Sequence, residues 1–386
     1  MDGKAAKQVD AGGEFTCAVV RGGQGYCWGN GELGVLGNGS RQSKLYPEPV
    51  MQDGAMNGDG FRSISGGQYL ACGISQSGKA FCWGRGLYGG LGLGDDNGVF
   101  PEPMAVDRSG VLKGKTLVTV AAGANNACAL DNRGRAYCWG GNFSGELGDG
   151  TTRKRKTPVR VDMTGQLKGR RLVEIAIGSS HTCALDAGGR AYCWGSNTHG
   201  ELGIASGADQ RLVPTRVDAS GVLRGVDLID IGLGYDHSCA VGENGRAYCW
   251  GKARAGALGA DRKTNSRVPV AVDRSGALGR SRLSSVDSMS HHTCASTANG
   301  KSFCWGANGA GQLGNGSTDV AFSPVRVDAT SSATGVLTGV TGGFKHSCAI
   351  DGDKVVFCWG RGQDGALGSG PSADQLIPVP VLAPVT

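Results

Sequence analysis

Along residues 117–161 the apolar positions come in short β-branched runs and never at helical spacing. Leu117-Val118-Thr119-Val120-Ala121-Ala122 stops at Gly123 and predicts a first strand. Ala127-Cys128-Ala129-Leu130 predicts a second, and Arg135-Ala136-Tyr137-Cys138-Trp139 a third. Asp131-Asn132-Arg133-Gly134 joins them, a short polar connection with Gly late in it, which is a hairpin signal. After Trp139-Gly140 come a Gly-x-Leu-Gly turn (Gly145 to Gly148), a variable loop, and Pro158-Val159-Arg160-Val161 as a fourth strand. Proline opening that strand suits a sheet edge, where its missing N–H removes no ladder bond.

This pattern recurs over the whole chain. Seven cysteines precede Trp-Gly, each with a partner ten residues earlier. The pairs are Cys17 and Cys27, Cys72 and Cys82, Cys128 and Cys138, Cys183 and Cys193, Cys239 and Cys249, Cys294 and Cys304, Cys348 and Cys358. The following residues, Trp28, Trp83, Trp139, Trp194, Trp250, Trp305 and Trp359, are all the Trp present, so every Cys and Trp serves one device. Such a period, about 55 residues, marks a repeat architecture. Seven periods fill residues 1–386, which predicts one domain: an all-β, seven-bladed propeller of four-stranded antiparallel blades. The 70 glycines recur at fixed phases, as many tight turns require. Gly stands four residues before the second Cys in six repeats; Lys354 replaces it in the last, so that turn should differ. No apolar run reaches the roughly 18 residues of a membrane helix.

Gly178-Ser179-Ser180-His181-Thr182-Cys183-Ala184-Leu185 and Trp194-Gly195-Ser196-Asn197-Thr198-His199-Gly200-Glu201-Leu202-Gly203 resemble the repeats of the regulator of chromosome condensation family. The likeness covers all seven repeats and points to a disulfide-containing, secreted, bacterial-type branch. It implies the propeller fold firmly and function only loosely. The family includes nucleotide exchange factors, a plant ultraviolet-B photoreceptor and a secreted inhibitor of β-lactamases.

In the hairpin, Cys128 and Cys138 fall nearly opposite each other, where Cα atoms stand about 4.5–5.5 Å apart and a disulfide is tolerated. Each bridge would close a short ring, worth roughly 2.7 kcal/mol in the chain-entropy account. The alternative is reduced cysteines packing as small hydrophobes. Metal binding is disfavoured, since no Cys-x-x-Cys occurs and the spacing is the same in every repeat. Fourteen paired cysteines imply an oxidising compartment, extracellular or periplasmic. The opening Met1-Asp2-Gly3-Lys4-Ala5-Ala6-Lys7 shows no apolar export segment.

His181, His237, His292 and His346 each lie two residues before a first cysteine. Held one blade apart, they cannot share a metal, whose His bonds are about 2 Å. Each is expected to hydrogen-bond the backbone of its turn. His199 and His291 are off-phase with no evident acid partner. Asp95-Asp96-Asn97-Gly98 looks like a fragment of a calcium loop but lacks the bidentate Glu, so a solvated turn is expected. No nucleophile elbow, His-Glu-x-x-His or P-loop occurs. The expectation is a protein that is not an enzyme and has no cofactor.

First-to-second and third-to-fourth connections share one face of the disc. On it fall Phe15, Tyr69, Arg85, Tyr88, Phe143, Tyr235, Phe344 and Arg361, with the basic run Arg153-Lys154-Arg155-Lys156. Aromatic and Arg side chains on scaffolded loops are what binding hot spots favour. The net charge of +6 is modest and no aromatic-interleaved basic patch appears, so nucleic acid is not the expected partner. The leading expectation is a monomeric extracellular binding module for a protein or surface glycan. A secreted enzyme inhibitor is the close alternative, and guanine nucleotide exchange the disfavoured one, since the even period leaves no room for a projecting hairpin. Photoreception would need clustered extra Trp, and none is left over.

Overall fold

The computed structural model describes residues 4–94, 98–371 and 373–382; Asp95, Asp96 and Asn97 of the calcium-like turn lie outside them. Each repeat folds as its own four-stranded antiparallel sheet, ordered as in the chain, giving seven blades. The first strands, Ala6–Ala11, Phe61–Gly66, Leu117–Ala122, Leu172–Ile177, Leu228–Leu233, Leu283–Met289 and Leu337–Gly342, pack on one another around a central channel. Helix among the described residues is confined to three short 3-10 turns, Leu87–Gly89, Arg254–Gly256 and Gln363–Gly365.

Burial follows radial position. Second and third strands are sandwiched between neighbouring blades and buried along their length, as in Asn126–Asp131 and Ala136–Gly140. They therefore carry Ala, Cys and aromatics in near-continuous apolar runs. Fourth strands form the rim and alternate; Arg155–Arg160 buries Pro158 and leaves Lys156 and Arg160 exposed. In first strands the third and fifth residues turn to the channel, while the first and fourth enter the core between blades.

All fourteen cysteines are bridged within their own blades and none is free. Cys17 joins Cys27, Cys72 joins Cys82, Cys128 joins Cys138, and Cys183 joins Cys193. Cys239 joins Cys249, Cys294 joins Cys304, and Cys348 joins Cys358. The alternative of reduced cysteines packing as small hydrophobes is thereby set aside. One detail of the expectation is corrected: the Cα atoms stand 4.1 Å apart in every pair, closer than the hairpin geometry anticipated. The reason is register. Cys27, Cys82, Cys138, Cys193, Cys249, Cys304 and Cys358 each stand directly opposite their partners across the second and third strands.

The turn at Lys354 corrects a second expectation. It does not differ, because Lys354 takes φ 68°, the left-handed conformation of Gly134 (φ 74°) and Gly189 (φ 70°). A side chain there is tolerated at some conformational cost.

Adjacent blades are latched by residues that recur from one repeat to the next. Trp194 Nε1 donates to Glu146 O (2.7 Å), Trp250 to Glu201 O (2.8 Å) and Trp28 to Ala366 O (3.1 Å), so each third–fourth loop caps the tryptophan of the next blade. Gly148 shows why Leu-Gly recurs: φ is 64°, and a Cβ would stand 2.8 Å from Trp194 Nε1. Trp139 is the exception, its buried Nε1 having no partner among the described residues.

The ring closes without strand exchange. The last strand, Gln375–Pro380, stays in the seventh sheet and not within the first blade, and it is the seventh blade as a whole that packs beside the first. Ala6 N donates to Lys354 O (3.0 Å), Phe344 N to Gly13 O (3.0 Å), and Val9, Trp28, Cys348, Cys358 and Leu367 share one core.

Candidate binding face

The four in-phase histidines are buried, but each bonds the next blade and not its own turn. His181 Nε2 lies 2.9 Å from Ser238 Oγ, which donates to Glu201 O at 2.8 Å. His237–Thr293, His292–Ser347 and His346–Thr16 repeat this at 2.9 Å. Because the hydroxyl hydrogen goes to the carbonyl, the imidazole must donate through Nε2. Burial pushes their pKa values down, to about 3 for His237 and His292 and about 4 for His346. These are neutral structural groups.

That register explains why Phe15 is not a surface residue, as the sequence reading had it. Phe15 occupies the histidine position of the first blade, is 1% exposed, and lays its ring against Gly12. Its phase, two residues before Cys17, was the available signal.

The other seven candidates share one face and fall into contacting groups. Tyr88 and Phe143, from blades two and three, meet edge to face with ring centroids 4.9 Å apart; Phe143 is 64% exposed. The Arg85 guanidinium lies 5.7 Å from the Tyr69 ring centroid, within cation–π range. Tyr235 packs between Phe344 (5.4 Å) and His291 (5.3 Å). Burial, with Tyr69 and Asp236 nearby, pushes the Tyr235 phenol up. Arg361 Nη1 reaches Glu14 Oε1 at 3.2 Å. In the basic run, Arg155 folds back on Asp149 at 2.7 Å. Tyr88 takes φ 57°, as do Ala255 (51°) and Asp364 (60°) at the same turn position, so its ring is projected by a left-handed backbone.

His199 is not without an acid partner. Its Nδ1 lies 3.2 Å from Glu201 Oε1, and Asp236 from the next blade completes a trio with ligating atoms within 4.8 Å of one another. These oxygens are already engaged: Glu201 accepts His199 N–H (2.8 Å), and Asp236 accepts Lys252 Nζ (3.0 Å). Glu201 stands two residues from His199 in the same loop, a spacing that was available in the sequence, whereas Asp236 joins across a blade junction that no spacing reveals.

Sequence reading also missed the channel, a cavity of about 200 Å³ lined by Asp10, Glu174, Asp287, Ser65 and Met289 among others. Each carboxylate caps an N–H of the next first strand: Asp10 accepts from Gly66 (3.4 Å), Glu174 from Ile231 (3.4 Å), Asp230 from Val286 (2.6 Å) and Asp287 from Gly342 (3.1 Å). All four are half-buried, and Asp10, Glu174 and Asp287 line the channel. Burial and mutual repulsion push Asp10 up to about 8; burial above all lifts Asp287 to about 6 and raises Glu174 and Asp230.

Fold and face define a disulfide-stapled β-propeller of the protein-interaction class, with variable loops gathered on one side. The RCC1-like domain matches residues 108–386, and the regulator of chromosome condensation (RCC1) repeat matches residues 22–74 and 77–130. The chain belongs to this family. It is 32% identical over 372 residues to the ultraviolet-B receptor UVR8 of Arabidopsis thaliana, covering 96% of this chain and 80% of that protein. The human E3 ubiquitin-protein ligase HERC2 is 28% identical over 92% of this chain, which spans only 7% of the ligase. Among solved structures, human WBSCR16 superposes with TM-score 0.81 at 20% identity, covering 94% of this chain and 95% of that one. Yeast RCC1 (Prp20), solved bound to Kap60, gives 0.78 at 21% identity, covering 93% and 83%. All seven Trp here are 0% exposed.

Proposed function

We propose that the protein is an extracellular interaction module that presents the loop face bearing Tyr69, Arg85, Tyr88, Phe143, Tyr235, Phe344 and Arg361 to a protein partner. The exposed Tyr88–Phe143 pair carries this reading. A large apolar ring left in water by a rigid scaffold gains free energy when a partner covers it. The seven bridges support an oxidising location. A secreted enzyme inhibitor would use the same face, differing in that its partner loses activity when bound; nucleotide exchange would speed nucleotide release from a small GTPase.

The test is capture from the secreted and surface-exposed proteins of the source cells with the oxidised chain, run beside Tyr88→Ala/Phe143→Ala. A partner held by the parent and lost by the variant supports the proposal. A partner held equally by both would move the site elsewhere.

A further inference from the structure

The opposite face is formed by the turns between second and third strands and by the connections leading from blade to blade. Here the repeat multiplies cations. Arg135, Arg190, Arg246 and Lys301 hold one turn position in four consecutive blades, and Arg160, Arg216 and Arg326 close fourth strands beside them. We propose that this hairpin-turn face is a second binding surface, for a linear acidic polysaccharide bearing carboxylate or sulfate groups.

The cations are little neutralised within the protein, although Arg282 donates to Glu243 O (2.7 Å) and Arg274 to Ser281 O (3.0 Å), both uncharged acceptors. In blades three to six, Arg170–Asp186 at 3.8 Å is the ion pair of this face among the described residues. Asp131 and Asp186 are buried, bonded to backbone N–H groups and to the hydroxyls of Tyr137 and Tyr192. Asp162, Asp218 and Asp273 accept from the N–H groups of their own connections, and Asp227 and Glu243 are the exposed acids beside the turns, fewer than the cations around them. Arg246 and Arg282 add to burial in holding the Arg274 guanidinium below its ordinary value, so three like charges crowd one seam. Two grooves open there. One of about 660 Å³ is lined by Arg280, Arg282, Asn299 and Lys301, and another of about 240 Å³ by Arg190, Arg216 and the single carboxylate of Asp227. The formal charge of +6 also understates the outer surface, because Asp10, Glu174 and Asp287 turn into the channel.

The repetition selects the class of ligand. From blade three to blade six a cation recurs once per blade at this position, and a polymer whose anions also recur at fixed spacing can engage them in succession. A folded protein partner has no such period. Among the described residues the exposed large aromatics, Tyr88 and Phe143, lie on the other face, so no stacking platform for bases accompanies the cations. A disulfide-stapled chain in an oxidising compartment meets acidic glycans more readily than nucleic acid.

The test is calorimetric titration of the oxidised protein with heparin dodecasaccharide, oligogalacturonate, duplex DNA and poly-L-glutamate, at two salt concentrations. The triple variant Arg190→Glu/Arg246→Glu/Arg282→Glu should weaken glycan binding by about tenfold or more, the order expected for three lost charge contacts. Arg41→Glu/Arg211→Glu/Lys263→Glu, of equal charge on the other side of the disc, should change it less than about twofold, being outside contact range. If the first triple lowers the melting temperature, the Gln versions of the same residues replace it. No glycan binding by the parent, equal loss in both triples, or tighter binding of DNA or polyglutamate would each overturn the proposal.

Discussion

The His346 imidazole in the last blade lies 2.9 Å from the hydroxyl of Thr16 in the first, and that hydroxyl donates to Ala366 O at 2.9 Å. The contact ties the first and last blades together and fixes the tautomer of the ring. Thr16→Val keeps the volume and removes the relay, leaving a buried imidazole N–H unpaired and Ala366 O with Trp28 Nε1 as its remaining donor. It should cost about 2 kcal/mol or more, an unmade buried bond being worth about 1–3. Urea unfolding of Thr16→Val beside Thr16→Ser measures it; equal stability of the two would mean that the relay contributes nothing.

Stability should fall as pH rises from about 6.5 to 8.5. Asp10 and Asp287 titrate near 8 and 6 in the fold against an ordinary 3.8, so the folded chain keeps protons that the unfolded chain has lost. Their contribution is full at low pH and disappears through those values. The buried histidines act oppositely: the unfolded chain takes up protons below its ordinary 6.5, so acid destabilises the fold down to pH 3–4. Above 6.5 only the carboxylates remain in play. Asp10→Asn should flatten the alkaline limb of melting temperature against pH, and an unchanged slope would show that Asp10 does not carry it.

Trp139→Phe should be milder than Trp194→Phe. Both lose indole volume, but only Trp194 gives up a hydrogen bond, whereas Trp139 sheds an unpaired buried N–H. The difference should be about 1 kcal/mol in chemical unfolding.

On the loop face, Phe143→Ala or Tyr235→Ala should each cost about 2 kcal/mol in partner affinity, roughly thirtyfold. Asn132, Asn244 and Asn299, in turns across the disc, should tolerate Ala with little change. Tyr88→Gly separates two effects: it relieves a left-handed φ of 57° and so should hold or raise stability while weakening binding. Loss of affinity confined to the asparagine set would place the partner on the other side.

Replacing Cys128 and Cys138 by Ala should cost about 2–3 kcal/mol, the value for a short closed loop. Scanning calorimetry of the double variant checks it, and no shift would mean the packed hairpin suffices alone.

What was legible in the sequence lay along the strand direction. The Cys–Trp-Gly phase fixed blade number, strand order and disulfide pairing, because hairpin partners stand at constant separation. Phe15 was misplaced because composition was weighed over phase: an aromatic near a loop looked exposed although it holds the position of His346. The channel carboxylates and the His199–Glu201–Asp236 trio stayed hidden for a different reason. The carboxylate caps and the approach of Asp236 are contacts between blades, where separations depend on how sheets turn about the axis and not on any spacing within a repeat; Glu201, two residues from His199, was legible and overlooked.

The seam between last and first blade repeats the junctions elsewhere: Trp28 sits on Ala366 O as Trp194 sits on Glu146 O, and no strand is borrowed across it. Which blade comes first in the chain is thus topologically arbitrary. A circular permutant opened in any blade-to-blade connection, with the seventh blade linked to the first, would regenerate the same closed ring. Such a permutant could begin at whichever blade leaves a fusion partner farthest from the working face.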